Sequence, residues 1–443
     1  MKLNRKIQLL IIAHLYIYRC TVFGQINVQD SLIQPVDSLP TKILAQGIQE
    51  QVNNTKIKTV QLNRSDLQLA YPIITLGSED ILDLGFDDLR GGVRNYYYTF
   101  EHCDQQWESS GLNSYDFIEG FEENRIDNYR FSFATLQRYT HYALSFPNND
   151  IQFRISGNYV IKVWEEDNRD TPVLIKRFLV KEDVVDINGD VYRPNLIPYR
   201  NEFQEINFTI DIQNLEIGAA FDEMKVSLMQ NGRYDNVLYN IKPRLVTNDK
   251  LFYDIDDIVF PAAKEYRRFD TKTLKFQSDR IVKIEKANDT YQVFVNVDDS
   301  RVYQKYFYEK DANGQYVIQA DLANDVTVEG DYANVHFVLQ YPYMITSGDV
   351  YVFGELSGNM MTAANKMTYD FDKQQYTAEL YLKQGYYNYA YAVKSFDSNK
   401  ADFTYTEGNS YETENDYQLL VYQHDFSVGY DRLIGCAYFN SVK

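Results

Sequence analysis

Three consecutive residues, His102, Cys103 and Asp104, carry side chains that metals and nucleophilic chemistry use. They sit in FDDLRGGVRNYYYTFEHCDQQW, which runs from Phe86 to Trp107. An imidazole, a thiolate and a carboxylate could together ligate zinc or arm a thiol nucleophile. Their spacing argues otherwise. On a strand, consecutive side chains point to opposite faces, so three neighbours do not converge on one tetrahedral ion. The trio reads instead as a strand end, with His102 at the sheet edge, Cys103 as a small hydrophobe and Asp104 opening a turn.

The remaining reactive residues form no pattern. After residue 24 the histidines are His102, His141, His336 and His424, each in or beside a strand-like run without a partner at ligand spacing. Asp87-Asp88, Asp256-Asp257 and Asp298-Asp299 fall in turn-like places, so paired carboxylates give no basis for general acid–base work. HExxH, GxSxG, the Walker A motif, the dinucleotide-binding GxGxxG and CxxC are all absent. The expectation is therefore no catalytic residue, no metal and no cofactor.

The elements that would carry such residues begin after an export signal. Lys2, Arg5 and Lys6 precede the apolar run Ile7 to Tyr18, and Val22 and Gly24 suit a cut before Gln25. Residues 1–24 read as a signal peptide, too short and interrupted for a membrane span. Cys20 raises a lipoprotein alternative, against which stand the large Tyr18 and charged Arg19. Removing a signal that holds four of the 44 basic residues leaves 40 against 63 acidic ones, a formal charge of −23. That balance argues against nucleic acid and against anionic lipid. Cys103 and Cys436 belong to opposite ends of the chain and read as two free thiols.

Tyrosine is the compositional anomaly, at 39 residues beside 26 Phe and two Trp. Aromatic side chains favour pleated, half-buried surfaces. Residues 25–56 read as a flexible lead-in, with a short helix over Ile43 to Gln51. Asp-Ser-Leu occurs in it twice, at Asp30 and Asp37, and resembles the O-glycosylation sequons of some Gram-negative bacteria. From Ile57, short β-rich runs alternate with Gly, Pro, Asn and Asp clusters, as in antiparallel sandwiches. Tyr96, Tyr98 and Phe100 share one face of a strand. The predicted organisation is a β-sandwich over 57–181, a β-rich second domain over 182–319 with a short helix in FPAAKEYRRF, and a third sandwich over 320–443. The fold class is all-β, with tandem immunoglobulin-like, fibronectin-like and early-set sandwich domains and little helix. A transmembrane barrel needs repeated alternating segments of about ten residues, and PAAKEYRRF and NLIPYRNEF interrupt any such series.

Three resemblances refine this reading. YYYTFEHCDQQW followed by GNYVIKVWEED resembles the fibronectin-like modules of sensor proteins, in which the Trp caps one end of the sandwich. DVYVFGELSGNMMTAANKMTYDFDKQQYTAELYLKQGYYNYAYAV resembles early-set modules related to starch- and glycogen-binding domains. It departs from them where a sugar-stacking Trp is usual, having Asn359, Met360 and Met361 instead. Met360 and Met361 are either buried within their loop or a soft contact for another protein. The second reading makes them the candidate partner-binding residues.

Over nearly the whole chain, from about Ile57 to Gly435, the sequence resembles the plug proteins of the type IX secretion system. The segments that carry this are IKTVQLNRSDLQLAYPIITLGSEDILDLGFDDLRGGVRNYYYTFEHCDQQW, MQNGRYDNVLYNIKPRLV, EGNSYETENDYQLLVY and YDRLIG. The resemblance implies a non-enzymatic periplasmic protein at the inner face of the outer membrane. It would bind and close the periplasmic opening of the outer-membrane translocon barrel when no cargo is passing, without inserting into the membrane. The alternative is an exported carbohydrate-binding protein using the third domain, with Tyr389 or Tyr391 against the sugar.

Overall fold

In the computed structural model, residues 47–442 are described, apart from 167, 214, 216 and 288. The expected signal peptide and most of the lead-in lie outside these residues. Strands hold 47% of the chain and helices 5%, which settles the all-β class. Among the described residues no helix is long and apolar enough to cross a membrane.

Three sandwiches account for six of the seven sheets among the described residues, and the seventh pairs Ile118–Gly120 with Ile151–Phe153 beside the first core. In the first, one sheet orders Gln51–Val52, Leu174–Lys181, Gly157–Glu165, Tyr96–Cys103 and Asn124–Arg125. The other orders Ile57–Arg64, Leu82–Asp88, Thr140–Phe146 and Asn128–Phe131. The period of two in the tyrosine strand does what the sequence predicts. Tyr96, Tyr98 and Phe100 are buried, and the alternate Tyr97, Thr99 and Glu101 are half-buried. The inward rings pack with Tyr142, Phe146, Tyr159 and Phe178, mostly edge to face, the arrangement that their quadrupoles favour.

The second sandwich is discontinuous in sequence. Its first sheet orders Asp186–Tyr192, Phe203–Asp211, Lys250–Tyr253 and Leu245–Val246. Its second is Met224–Gln230, Asp416–Asp425 and Tyr430–Asn440. The C-terminal hairpin therefore belongs here, with Val226 opposite Val421 and Leu228 opposite Leu419, and not with the third unit in which its sequence position placed it. Conversely, Ile281–Ala287, expected in the second unit, pairs with Thr290–Val295 in a sheet of the third sandwich. That sandwich sets Arg267–Asp270, Gly385–Ser395, Tyr316–Ile318 and Gly348–Phe353 against a sheet containing Tyr332–Gln340 and Gln375–Lys383. The third sandwich is thus inserted between Val259–Pro261 and Asp416–Asp425 of the second.

Two local expectations give way to tertiary structure. FPAAKEYRRF forms no helix. Val259–Pro261 and Arg267–Asp270 are strands, and Arg267 is drawn into an ion-pair network that fixes its strand. Helix propensity is a weak prior against such contacts. The described part of the lead-in is docked rather than loose. Ile48 N–H donates to the Trp107 carbonyl at 2.7 Å, and Gln51–Val52 adds to the first sheet as strand, not helix. At Gly47 a Cβ would lie 2.2 Å from the Trp107 carbonyl carbon, so the close approach requires glycine.

Candidate interaction surface

The His102-Cys103-Asp104 trio is built as alternation dictates. His102 follows Phe100 on the core face, 1% exposed; its ladder partner is Tyr159, while the strand on the other side reaches only Tyr97 and Tyr98. Its Nε2 lies 3.2 Å from the Ser156 carbonyl. Burial pushes the imidazole down to about 4, so it is neutral near pH 7. Cys103 faces the other way, into an apolar cluster shared with the second sandwich, and burial, aided by the Glu101 carboxylate, pushes its thiol up to about 12. Asp104 opens the turn, its Oδ1 accepting the Gln106 and Glu108 N–H groups at 2.8 and 2.9 Å. Trp107, placed by that turn at φ +68, does more than cap one sandwich. The buried Arg177 guanidinium lies 4.5 Å from its ring and 4.7 Å from that of Tyr234 in the second sandwich. Cys103 is buried, Cys436 half-buried, and both are unbridged.

Two of the three carboxylate pairs hold polar centres that the sequence reading passed over as turns, while Asp256-Asp257 does lie in a turn. Asp87, Asp88 and Asp298 are all buried. Asp87 Oδ2 accepts from Lys383 Nζ and the Tyr332 hydroxyl, both at 2.7 Å, and Oδ1 lies 2.7 Å from His141 Nδ1. Lys383 also donates to the Thr327 carbonyl and lies 4.2 Å from the Tyr139 ring centre. Burial lowers the Lys383 pKa, and the Asp87 charge opposes that shift. Asp298 accepts from Arg267 at 2.8 Å and from the Tyr389 and Tyr391 hydroxyls at 2.7 and 2.8 Å. Glu407, beside it, is held down to about 2. Its burial alone would raise it, and the Arg267 and Arg301 guanidiniums overcome that. These groups are satisfied by one another and closed to solvent. The alternation of Leu82, Leu84 and Phe86 up to Asp87-Asp88 was the one signal that this pair continues a buried strand rather than a turn. Among the described residues, no group of three His, Cys, Asp or Glu side chains could hold a metal ion.

Tyr389 and Tyr391, on which sugar stacking would depend, are interior and bonded to Asp298, so neither presents a ring to a glycan.

Met360 and Met361 lie in the loop after Gly348–Phe353 and are half-buried. Met361 packs against a cluster that includes Tyr266, Phe353 and Phe403, and the Met360 carbonyl accepts from Asn365 at 2.8 Å. The opposite end of the same sandwich is more exposed. There the turn after Thr368–Asp370, the connection leading into Gly348–Phe353 and the exit of Gly385–Ser395 come together. Tyr341 N–H donates to the Gln374 carbonyl, and Phe396 N–H to Ser347. This end displays Phe371 at 72% exposure, Phe396 at 73% and Tyr343 at 63%. Tyr341 supports Tyr343 and Tyr369 supports Phe371 through ring contacts, with Tyr376 packed on Tyr369 and the Tyr369 hydroxyl bonded to the Tyr341 carbonyl. Large aromatic groups held on a rigid base are what protein interfaces enrich. The sequence reading missed this surface because its residues come from three separate turns.

Comparison with known proteins places the chain. No curated protein matches it. A solved structure of a hypothetical protein from Parabacteroides merdae is 33% identical, with a TM-score of 0.86, covering 89% of this chain and 99% of that one. A mutant of Salmonella alpha-2-macroglobulin aligns at 11% identity over 91% of this chain and 24% of its own, with a TM-score of 0.16 that supports no likeness. The family model described as the type 9 secretion system plug protein 1st domain matches residues 57–182, the span of the first sandwich. Through its first sandwich, residues 57–182, the chain belongs to the type IX secretion system plug protein family.

Proposed function

We propose that this protein is a non-catalytic periplasmic plug, which binds the periplasmic opening of the type IX outer-membrane translocon barrel and closes it when no cargo is passing. Family membership carries this reading, because it ties the chain to type IX secretion. The internal chemistry agrees with it. The polar clusters around Asp87 and Asp298 are closed, and the conspicuous exposed features are aromatic. A reversible block needs an interface that holds and releases, with a few large anchors in a polar surround. The exposed end of the third sandwich, with Phe371, Phe396 and Tyr343, has that character. Met360 and Met361 are a second proposed contact, at the other end of that sandwich.

The experiment is purification through a tagged translocon from cells in which cargo is absent. Co-purification of this chain, with outer-membrane leakiness on its deletion, is the expected result. Absence of both would end the reading.

A further inference from the structure

We infer that the outer face of the second sandwich carries a site for a divalent cation, calcium being the best fit, with Glu205 Oε2, Asn207 Oδ1 and the Asp190 carboxylate as its protein donors. The sheet brings these residues together. In Phe203–Asp211, Ile206, Phe208 and Ile210 face the core, so Glu205 and Asn207 share the outer face. Asp190, on Asp186–Tyr192, stands directly opposite Asn207 in the antiparallel ladder. It shares that outer face, since Ile187 and Val191 pack inward. Residues paired in this way hold their Cβ atoms about 5 Å apart, close enough for their side chains to meet around one ion.

Two oxygens of this group meet no donor. Glu205 is 3% exposed, and its Oε1 accepts from Asn207 Nδ2 at 3.0 Å. That bond orients both planar groups. It leaves Glu205 Oε2 and Asn207 Oδ1, both buried, without a hydrogen-bond partner. A buried carboxylate is costly unless a positive charge and donors compensate it. The guanidiniums around this face are spent elsewhere. Arg193 follows Tyr192, the ladder partner of Glu205, but donates to the Arg200 carbonyl and to Asn201 Oδ1 and lies 4.0 Å from the Tyr411 ring centre. Arg244 is bonded to both carboxylate oxygens of Asp254.

The donors select the ion. All are oxygens, from two carboxylates and one amide, which suits a hard cation rather than zinc or copper. Among the described residues no third Asp or Glu, and no His or Cys, completes a cluster with them. Water would fill the remaining positions, as calcium and magnesium accept. Asp190 is half-buried, with its Oδ1 accepting from the Val191 N–H at 2.8 Å, so the face is open to entry from solvent. The surroundings add attraction without adding ligands. The central strand changes partner here, from Lys250–Tyr253 to Val259–Pro261, and Ile206 N–H donates to the Ile258 carbonyl at 3.0 Å. The turn between those strands brings the exposed Asp256 and Asp257 to the same stretch. A bound ion would tie Asp186–Tyr192 to Phe203–Asp211 through side chains as well as backbone. The inference concerns the second sandwich alone and does not depend on the translocon reading.

The test frees the purified full chain of metal with a chelator and titrates it with calcium chloride, by isothermal titration calorimetry and by thermal melting. Saturable binding at one site is expected, with a melting temperature that rises with calcium concentration. The affinity should fall about ten-fold or more in Glu205→Gln and in Asp190→Asn. The calcium-induced rise in melting temperature should vanish in both at the concentrations that saturate the parent. Near-ultraviolet dichroism verifies folding, and Asp190→Asn, at a half-buried position, decides the matter if Glu205→Gln does not fold. Absence of calcium binding to the parent would overturn the inference. So would parent-like affinity in either folded variant, which would mean diffuse attraction to the acidic surface.

Discussion

The first sandwich meets its two neighbours in opposite ways. Against the second it presents an apolar and aromatic face. Cys103, Trp107, Val160 and Leu179 pack on Met229, Val237, Leu420 and Leu433, with Arg177 between two rings. Against the third it meets a buried ion pair, Lys383 to Asp87, bracketed by Tyr332, His141 and Tyr139. Apolar contacts add up gradually and tolerate small changes of angle. A buried ion pair is all or nothing. Its desolvation is offset only while both partners and their hydrogen bonds are in place. The second sandwich is thus joined mainly by area, with buried hydrogen bonds such as Tyr422 to Asn158 and Gln105 to Ser227 within it, and the third by an ion pair whose geometry must be kept; the inserted third sandwich carries an exposed aromatic end.

The largest effect follows from breaking the ionic junction. Lys383→Ala leaves the Asp87 carboxylate buried without its cation, and should lose about 3–5 kcal/mol in equilibrium urea unfolding. Asp87→Asn combined with Lys383→Met removes both charges and should recover at least half of that loss. If the double variant is no better than the single, packing rather than charge holds this junction.

Acidification probes the edge of the apolar junction. His102 lies beside Tyr430 of the second sandwich, with ring centroids 5.5 Å apart. Its folded pKa of about 4 lies below the unfolded value of about 6.5, so between these values the unfolded chain takes up a proton that the folded chain refuses. Stability should therefore fall as the pH drops from about 6.5 towards 4, by about 3 kcal/mol from this residue. Other groups titrate in the same range, so the quantity to measure is the difference between the parent and His102→Gln. That difference should be flat above pH 7 and shrink on acidification. Trp107→Phe is milder. It keeps an aromatic ring but weakens the contacts with Arg177 and Tyr234, and should cost about 2 kcal/mol in the same unfolding measurement.

How much of this was legible depended on periodicity. Tyr96, Tyr98 and Phe100 declared their face because alternation is local, and the whole all-β class followed from runs of that kind. Asp104 and Trp107 were legible as a turn and an anchor, although not the second sandwich that Trp107 meets. What escaped was non-local. Asp87 and Asp298 look like turn residues until Lys383, 296 positions along the chain from Asp87, and Arg267 are folded against them. Pairing of Met224–Gln230 with Asp416–Asp425 leaves no trace in either segment, so the insertion of the third sandwich could not be read. The aromatic end was hidden for the same reason, because its residues converge only when three strand turns stack at one end.

The smallest effect on stability should come from that end, and it decides between the two proposed contacts of the third sandwich. Phe371 and Phe396 project from turns, so replacing both by Ser should change unfolding by no more than about 0.5 kcal/mol. Met361 is different, because it packs against the buried cluster that contains Tyr266, Phe353 and Phe403. Met361→Ser should cost about 1 kcal/mol whether or not a partner touches it. Stability therefore separates a packed residue from a displayed one, and capture by the tagged translocon then separates a displayed residue from a used one. If the aromatic end is the anchor, Phe371→Ser with Phe396→Ser should lower capture about ten-fold, while Met360→Ser leaves it near the parent level. The reverse ranking would move the contact to the methionine loop, at the end of the sandwich where Met361 is already committed to the fold.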